Sequence, residues 1–101
     1  MASTLLLDDG EFLIRLATHP ATSTDVAPVI LERRCLVHAA ERIGSAEMQP
    51  DGSWMAAVAA DKRPPQLPFD VVAQGVARLD AIVGLWTARH RAYIGYHALG
   101  R

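Results

Sequence analysis

The sequence predicts an α+β fold in which helix dominates: two N-terminal helices, a short β-hairpin around Pro50-Gly52, and a long C-terminal helix. Three observations support this fold class. A helix-start pattern lies at Asp8, and apolar residues recur at helical spacing from Val26 to Ile43 and again from Asp70 to His97. An all-α fold is the alternative, because residues 45–60 can be read as either hairpin or helix.

The first helix is predicted from the residues around Asp8. Asp8 as the N-cap and Glu11 three residues later form a capping-box pattern, in which carboxylates accept hydrogen bonds from unpaired backbone N–H groups. Apolar residues continue at helical spacing as far as Pro20. Asp9-Gly10 also has the composition of a hairpin turn between two apolar runs, so a hairpin remains an alternative here.

The second helix is predicted between a short polar linker and Gly44. Asp25 is its N-cap, and Pro28 falls in the first turn, where proline is tolerated. The helix then runs from Val26 to Ile43 and ends at Gly44. Because apolar residues lie on several sides of it, we expect burial on more than one side.

Pro50-Asp51-Gly52 predicts a turn, since each of these residues favours turn backbone for a separate reason. After it, Trp54, Ala56 and Val58 alternate with other residues as in a short strand, and Ala46 to Gln49 is the predicted partner strand. The prolines that follow predict an extended connector, which ends before the last helix.

The last helix is predicted to have two distinct faces. Bulky apolar residues, among them Leu79 and Val83, share one face, which we expect to cover the core. Small residues share the opposite face, and they allow a second helix to approach closely, either within the fold or across a twofold axis between two copies. This candidate interface consists of Ala77, Ala81, Gly84, Ala88 and Gly95. The alternative is an exposed alanine face that reflects codon bias.

A polar-aromatic cluster near the end of this helix is a candidate pocket, because it offers hydrogen bonding and proton transfer. Alternatively, its histidines complement the helix dipole and pack through their apolar edges. The candidate pocket consists of Trp86, His90, Tyr93 and His97.

No metal ligand, cofactor-binding residue or catalytic residue is predicted. Cys35, His38 and Glu41 lie at helical spacing and are chemically suitable zinc ligands, but specific zinc sites usually contain two such clusters. We therefore expect Cys35 to be a small buried apolar residue. Nucleophile elbows, phosphate-binding loops and dinucleotide fingerprints are also absent from the sequence.

Composition limits the class of protein. The 101 residues are expected to form one domain, 1–101, and 50% hydrophobic against 21% charged residues argues against disorder. The net charge of −1 provides no general attraction to nucleic acid or to an anionic membrane. One cysteine and an N-terminus without basic residues favour a cytoplasmic protein. The excess of arginine over lysine, together with abundant alanine, suggests a bacterial origin.

These observations favour a protein-interaction or homodimerising module without catalysis, whose partner is itself or another protein. A DNA-binding regulator is the alternative, because the predicted order of helices and hairpin resembles that of winged-helix regulators. Against it, Arg33, Arg34 and Arg42 are scattered among acidic residues and form no basic stripe. A second alternative is a small-molecule-binding protein or enzyme that uses the candidate pocket.

Overall fold

The computed structural model describes residues 5–17, 26–34, 40–60, 63 and 65–92, in which six antiparallel strands form one sheet and a helix lies on one of its faces. Strands adjacent in sequence are adjacent in the sheet, so the chain forms a meander. The elements are β1 (Leu5–Asp8), β2 (Phe12–Leu16), β3 (Val29–Arg33), β4 (Glu41–Met48), β5 (Trp54–Ala59), β6 (Phe69–Val76), α1 (Arg78–Thr87) and the short 3-10 helix α2 (Arg89–Arg91).

The predicted helix-dominated α+β fold is therefore wrong, and so is the all-α alternative. The first predicted helix is the β1–β2 hairpin. Its turn uses Asp8, which the sequence suggested as a helix cap, and Asp9, which belonged to the alternative hairpin turn: Asp8 Oδ1 accepts from the N–H of Gly10 at 2.9 Å, and Asp9 Oδ1 accepts from that of Phe12 at 2.7 Å. Gly10 has φ +96°, as a tight turn requires. An aspartate side chain accepts a hydrogen bond from a backbone N–H two or three residues later both in a turn and at a helix start, which explains why a helix was predicted here.

The second predicted helix, Val26 to Ile43, is also wrong, because β3 and the start of β4 occupy this region. The continuous apolar run that begins β3 fits a buried strand as well as it fits a helix. The helices required by the winged-helix alternative are thus strands in the described part of the chain. Cross-strand pairing with β2 and β4, rather than local sequence preference, determines this conformation.

The hairpin around Pro50-Gly52 is present and joins β4 to β5. Asp51 Oδ1 accepts hydrogen bonds from the backbone N–H of Ser53 at 2.9 Å and from its hydroxyl at 2.6 Å. The turn is closed by the N–H of Gln49, which donates to the carbonyl of Ser53 at 2.7 Å. The first strand is longer than predicted and begins at Glu41.

The long helix predicted from Asp70 to His97 is wrong over its first part, where residues 69–76 form β6 and pair with β5. The helix covers only Arg78–Thr87, and the predicted end beyond Ala92 lies outside the described residues. Valines at helical spacing in β6 misled the prediction, since β-branched residues also favour strands.

Irregularities interrupt three of the strand pairings. The register shifts in β1 at Leu6, in β4 at Ile43, and twice in β6, at Val72 and at Gly75. Each shift leaves one residue without a partner on the adjacent strand, as in a β-bulge, and increases the local twist.

The hydrophobic core lies between the sheet and α1, which packs mainly across β4, β5 and β6. Leu85 of α1 is fully buried over Gly44, where an added Cβ would lie 3.0 Å from Leu85 Cδ1 and 2.9 Å from the carbonyl oxygen of Ala57. The absence of a side chain at Gly44 thus allows Leu85 to reach the sheet. The cluster contains Phe12, Ile14, Leu16, Val29, Leu31, Ile43, Ala46, Trp54, Ala56, Val58, Ala81, Ile82, Leu85, Ala88 and Ala92.

The helix presents the opposite face to the core from the one predicted. Leu79 and Val83, expected to cover the core, are 70% and 55% exposed. Ala81 and Ala88, from the small-residue face, are buried against the sheet instead. Small side chains allow the helix to approach the sheet closely, which increases dispersion contacts with a core that contains few aromatic residues.

Two leucines of the helix allow a matched test of this orientation. Leu85→Ala should lower the free energy of unfolding by about 2–5 kcal/mol, because it leaves a cavity between helix and sheet. Leu79→Ala should change it by less than about 0.5 kcal/mol, because that side chain is exposed. Urea denaturation measures both, and equal losses for the two variants would contradict this orientation of α1.

Gly44→Ala should lower the free energy of unfolding by about 1–3 kcal/mol, because the new methyl group overlaps Leu85 and the backbone of β5. Denaturation monitored by tryptophan fluorescence measures the loss. Ser45→Ala, at the next position but on the opposite face, is the control and should be close to neutral. If Gly44→Ala is as stable as the wild type, the close contact is not a constraint.

Candidate binding face of the sheet

The sheet face opposite α1 carries the candidate site over β4, β5 and β6. In register, Ser45 pairs with Ala57 and Ala57 with Val71, so these three form a row across the strands. A second row is Glu47, Met55 and Gln74, and Ala59 and Phe69 form a third. We define the open face as Arg42, Ser45, Glu47, Met55, Ala57, Ala59, Phe69, Val71 and Gln74, all of them half-buried or exposed.

The open face contains a shallow groove of about 410 Å³ with a largely apolar floor. Phe69 lines the groove and remains 39% exposed, and Val71, on the same face but outside the groove, is 46% exposed. Arg42 lies at the end of the groove near Phe69, and Glu47 lies at the other end. The two positions are about 15 Å apart along β4, from the rise per residue of a strand.

The two charges that bound the groove form no ion pair within the described residues. Glu32 of β3 lies across from Arg42, but its carboxylate accepts two hydrogen bonds from Arg15, each 3.0 Å long. Glu47 lies across from Met55. Both charges are therefore available to a molecule that occupies the groove.

The remainder of the same face, over β2 and β3, is closed. Leu13 and Ile30 lie on it and are only 7% and 5% exposed. The Arg15–Glu32 pair lies beside them, and its hydrogen bond raises the pKa of Arg15. Apart from Leu5 on the edge strand β1, which pairs with Arg15 and is 51% exposed, the accessible apolar surface described on this side of the sheet lies on β4, β5 and β6.

The candidate interface is directed inward. Ala81 and Ala88 are buried in the core, and an added Cβ on Gly84 would lie 3.2 Å from Cβ of Ala73 in β6. Ala77 precedes the helix and is exposed, and Gly95 lies outside the described residues. Ala81, Gly84 and Ala88 thus pack against the chain's own sheet.

The candidate pocket residues that the structure describes do not line the groove. Trp86 stacks under the guanidinium of Arg89 at 4.0 Å, and Arg89 Nε donates to Asp9 Oδ2 at 3.1 Å. His90 contacts the ring of Phe12 edge-on, with centroids 4.9 Å apart. Trp86 and His90 thus lie where the C-terminal end of the helix contacts the β1–β2 hairpin. Tyr93 and His97 lie outside the described residues.

The possible zinc ligands are only partly described. Cys35 and His38 lie outside the described residues, and Glu41 begins β4. Within the described ranges, no group of three or more His, Cys, Asp or Glu side chains could hold a metal ion. None of the helices in those ranges has the length and apolar character needed to cross a membrane.

The sequence pattern of Trp54, Ala56 and Val58 predicted one apolar face of β5 and did not predict the open face. Trp54, Ala56 and Val58 face the helix, but Met55 and Ala57 between them are also apolar. A strand that is apolar on both faces is typical of sheets covered on both sides. The apolar residues Met55 and Ala57 are thus the sequence signal for a second apolar face of this strand.

Comparison with protein-family models, with curated proteins and with solved structures finds no match to this chain. In its described residues, the protein is a two-layer structure with an antiparallel meander, α1 on one face of the sheet, and an apolar groove on the opposite face.

The charged turn at the edge of the sheet predicts a loss of stability in acid. Hydrogen bonds from Arg34 and from the N–H of Gly10 lower the pKa of Asp8 from 3.8 to about 2. The backbone N–H of Phe12 also lowers the pKa of Asp9. Since both folded-state pKa values lie below the unfolded value, the stabilisation is complete above pH 3.8 and is lost as the pH falls towards 2.

Melting temperatures measured from about pH 6 down to about pH 2 by circular dichroism should show this loss. Asp8→Asn and Arg34→Gln should each make the decrease shallower, since each removes the Asp8–Arg34 pair, which is joined at 2.8 Å. A decrease that is equally steep in both variants and the wild type would contradict the assignment to Asp8.

Proposed function

We propose that this chain is a protein-interaction module that binds its partner on the open face. The observation that supports the proposal is the apolar surface that Met55, Ala57, Phe69 and Val71 leave accessible on the side of the sheet that no helix of the described residues covers. A contiguous accessible apolar surface with a polar rim is characteristic of interaction sites. Arg42 and Glu47 supply that rim.

The shape of the groove favours a protein partner over a small molecule. Small-molecule sites bury most of the ligand surface in a cleft. This groove has the sheet as its floor and remains open on the opposite side, so it covers one side of an occupant. A protein surface or an extended segment can lie along such a floor and complete its own burial with its remaining residues.

The outer side of α1 is the competing apolar surface, and it is the less suitable one. Leu79 and Val83 are exposed there, but charged Asp80 and Arg78 are close in sequence to Leu79. These two side chains form a narrow stripe on a convex helix. The open face, in contrast, brings three rows of residues together on adjacent strands.

Two valines of similar exposure allow a matched test in cells. A photo-activated benzophenone amino acid is placed at Val71, on the open face, or at Val83, on the outer side of α1. We expect illumination to give a discrete protein adduct from position 71 and none from position 83. Gel mobility and mass spectrometry identify each adduct.

The outcomes separate the two surfaces. No adduct from position 71 would overturn the proposal, and so would an adduct from position 83 alone. Val71→Asp with the photo-activated residue at Ala59 is a further control, because a charge on the floor should abolish the adduct. Circular dichroism of each purified variant verifies that the fold is retained.

A further inference from the structure

We infer that the partner of the open face is a second copy of this chain, packed sheet against sheet about a twofold axis that runs across the strands. The inference rests on the proposed binding role of the open face. Its basis is charge complementarity along one strand, because Arg42 and Glu47 lie at opposite ends of the same groove.

A twofold contact requires a surface that is complementary to itself. With the axis along the row of Ser45, Ala57 and Val71, each of these residues meets its own counterpart. The ends of β4 then exchange places, so Arg42 of each copy lies over Glu47 of the other. Two equivalent ion pairs result, one at each end of the interface.

The neighbouring rows fit this arrangement by size. Rotation about the axis places Met55 of one copy over Ala59 of the other, so a long side chain faces a small one at two equivalent positions. Phe69 is placed against the flexible Gln74 of the second copy. The central residues Ser45 and Ala57 are small, which allows the two sheets to approach closely.

A twofold axis parallel to the strands lacks these matches. It would place β4 of one copy over β6 of the other, so that Arg42 faces Phe69 and Glu47 faces Gln74. Each charge would then lose water without gaining a partner, which disfavours the contact. Both axes keep the strands of the two sheets nearly aligned, as in one of the two common classes of sheet packing, so the charge and size matches decide between them.

The dimensions of the open face indicate a weak dimer. Three strands spaced about 4.8 Å apart, over about 15 Å of their length, provide less area than the roughly 800 Å² per partner of a stable complex. We therefore expect an equilibrium with the monomer and a dissociation constant on the order of 10–100 μM.

Sedimentation velocity of the full chain, from about 1 to about 500 μM, tests the inference. The wild type should change from monomer to dimer over this range. Arg42→Glu and Glu47→Arg should each weaken the dimer by about tenfold or more, since each places like charges together at both ends. The double variant, Arg42→Glu with Glu47→Arg, should return to within about threefold of the wild type.

Arg91→Glu is the matched control, because it makes the same charge change on the exposed surface of the 3-10 helix and should leave the dimer unchanged. Ala57→Arg should abolish the dimer, because it places two positive charges at the twofold axis. Arg42→Glu places a second carboxylate across from Glu32 and could fail to fold for that reason. In that case the result for Ala57→Arg alone tests the dimer. Circular dichroism verifies the fold of each variant.

A wild type that stays monomeric throughout, a dimer that survives Ala57→Arg, or a folded double variant that stays monomeric would overturn the inference. The cross-linking experiment separates this failure from failure of the proposed function. An adduct from position 71 with twice the mass of the chain supports both proposals. An adduct with a different protein alone retains the interaction role and overturns the second copy as partner.

Discussion

The contact of Leu85 with Gly44 is the constraint on which the arrangement of helix and sheet depends. Leu85 is fully buried, and the position below it has no space for even a methyl group. Since Leu85 reaches the backbone of β4, α1 lies close to the sheet, and the helix positions directly over the sheet beside Leu85 favour small residues. Ala81, Gly84 and Ala88 meet this requirement.

Close packing on one side of the sheet leaves the other side without an equivalent cover over β4, β5 and β6. The chain provides one helix of ten residues within its described part. One helix covers one face, yet β5 is apolar on both faces. Removal of apolar surface from water is worth roughly 25 cal/mol per Å², so the uncovered face retains a driving force for association.

The parts of the fold that could be predicted from sequence are those fixed by local chemistry. The turn at Pro50-Gly52 has its own hydrogen bonds and backbone preferences, and it is where the sequence placed it. The helices assigned around Asp8 and Asp70 were wrong because their signals are shared with other structures. Asp8 closes a turn with the same kind of side-chain-to-backbone hydrogen bond that would cap a helix. The residues after Phe69 form the strand β6 because they pair with β5.

The candidate site was harder to predict for the same reason. The open face exists because Ala57, Val71 and Ser45, which are far apart in sequence, are adjacent in register. The alignment of Val71 with Ala57 depends on the extra residues in β6, and the extra residue in β4 brings Arg42 to the same face as Ser45. Such shifts leave no clear sequence signal, so the composition of the face could be read only from the structure.

The irregular strands at the two edges also determine how the sheet can grow. An unpaired edge presents a row of donors and acceptors that can recruit another strand, and a chain of such contacts extends without limit. Here β1 has four residues and a bulge at Leu6, and β6 has bulges at Val72 and Gly75. Both edges are thus poor templates for a further strand. The proposed association across a face differs from growth at an edge, because it closes after two copies and covers the second apolar side of β5 without recruiting a further strand.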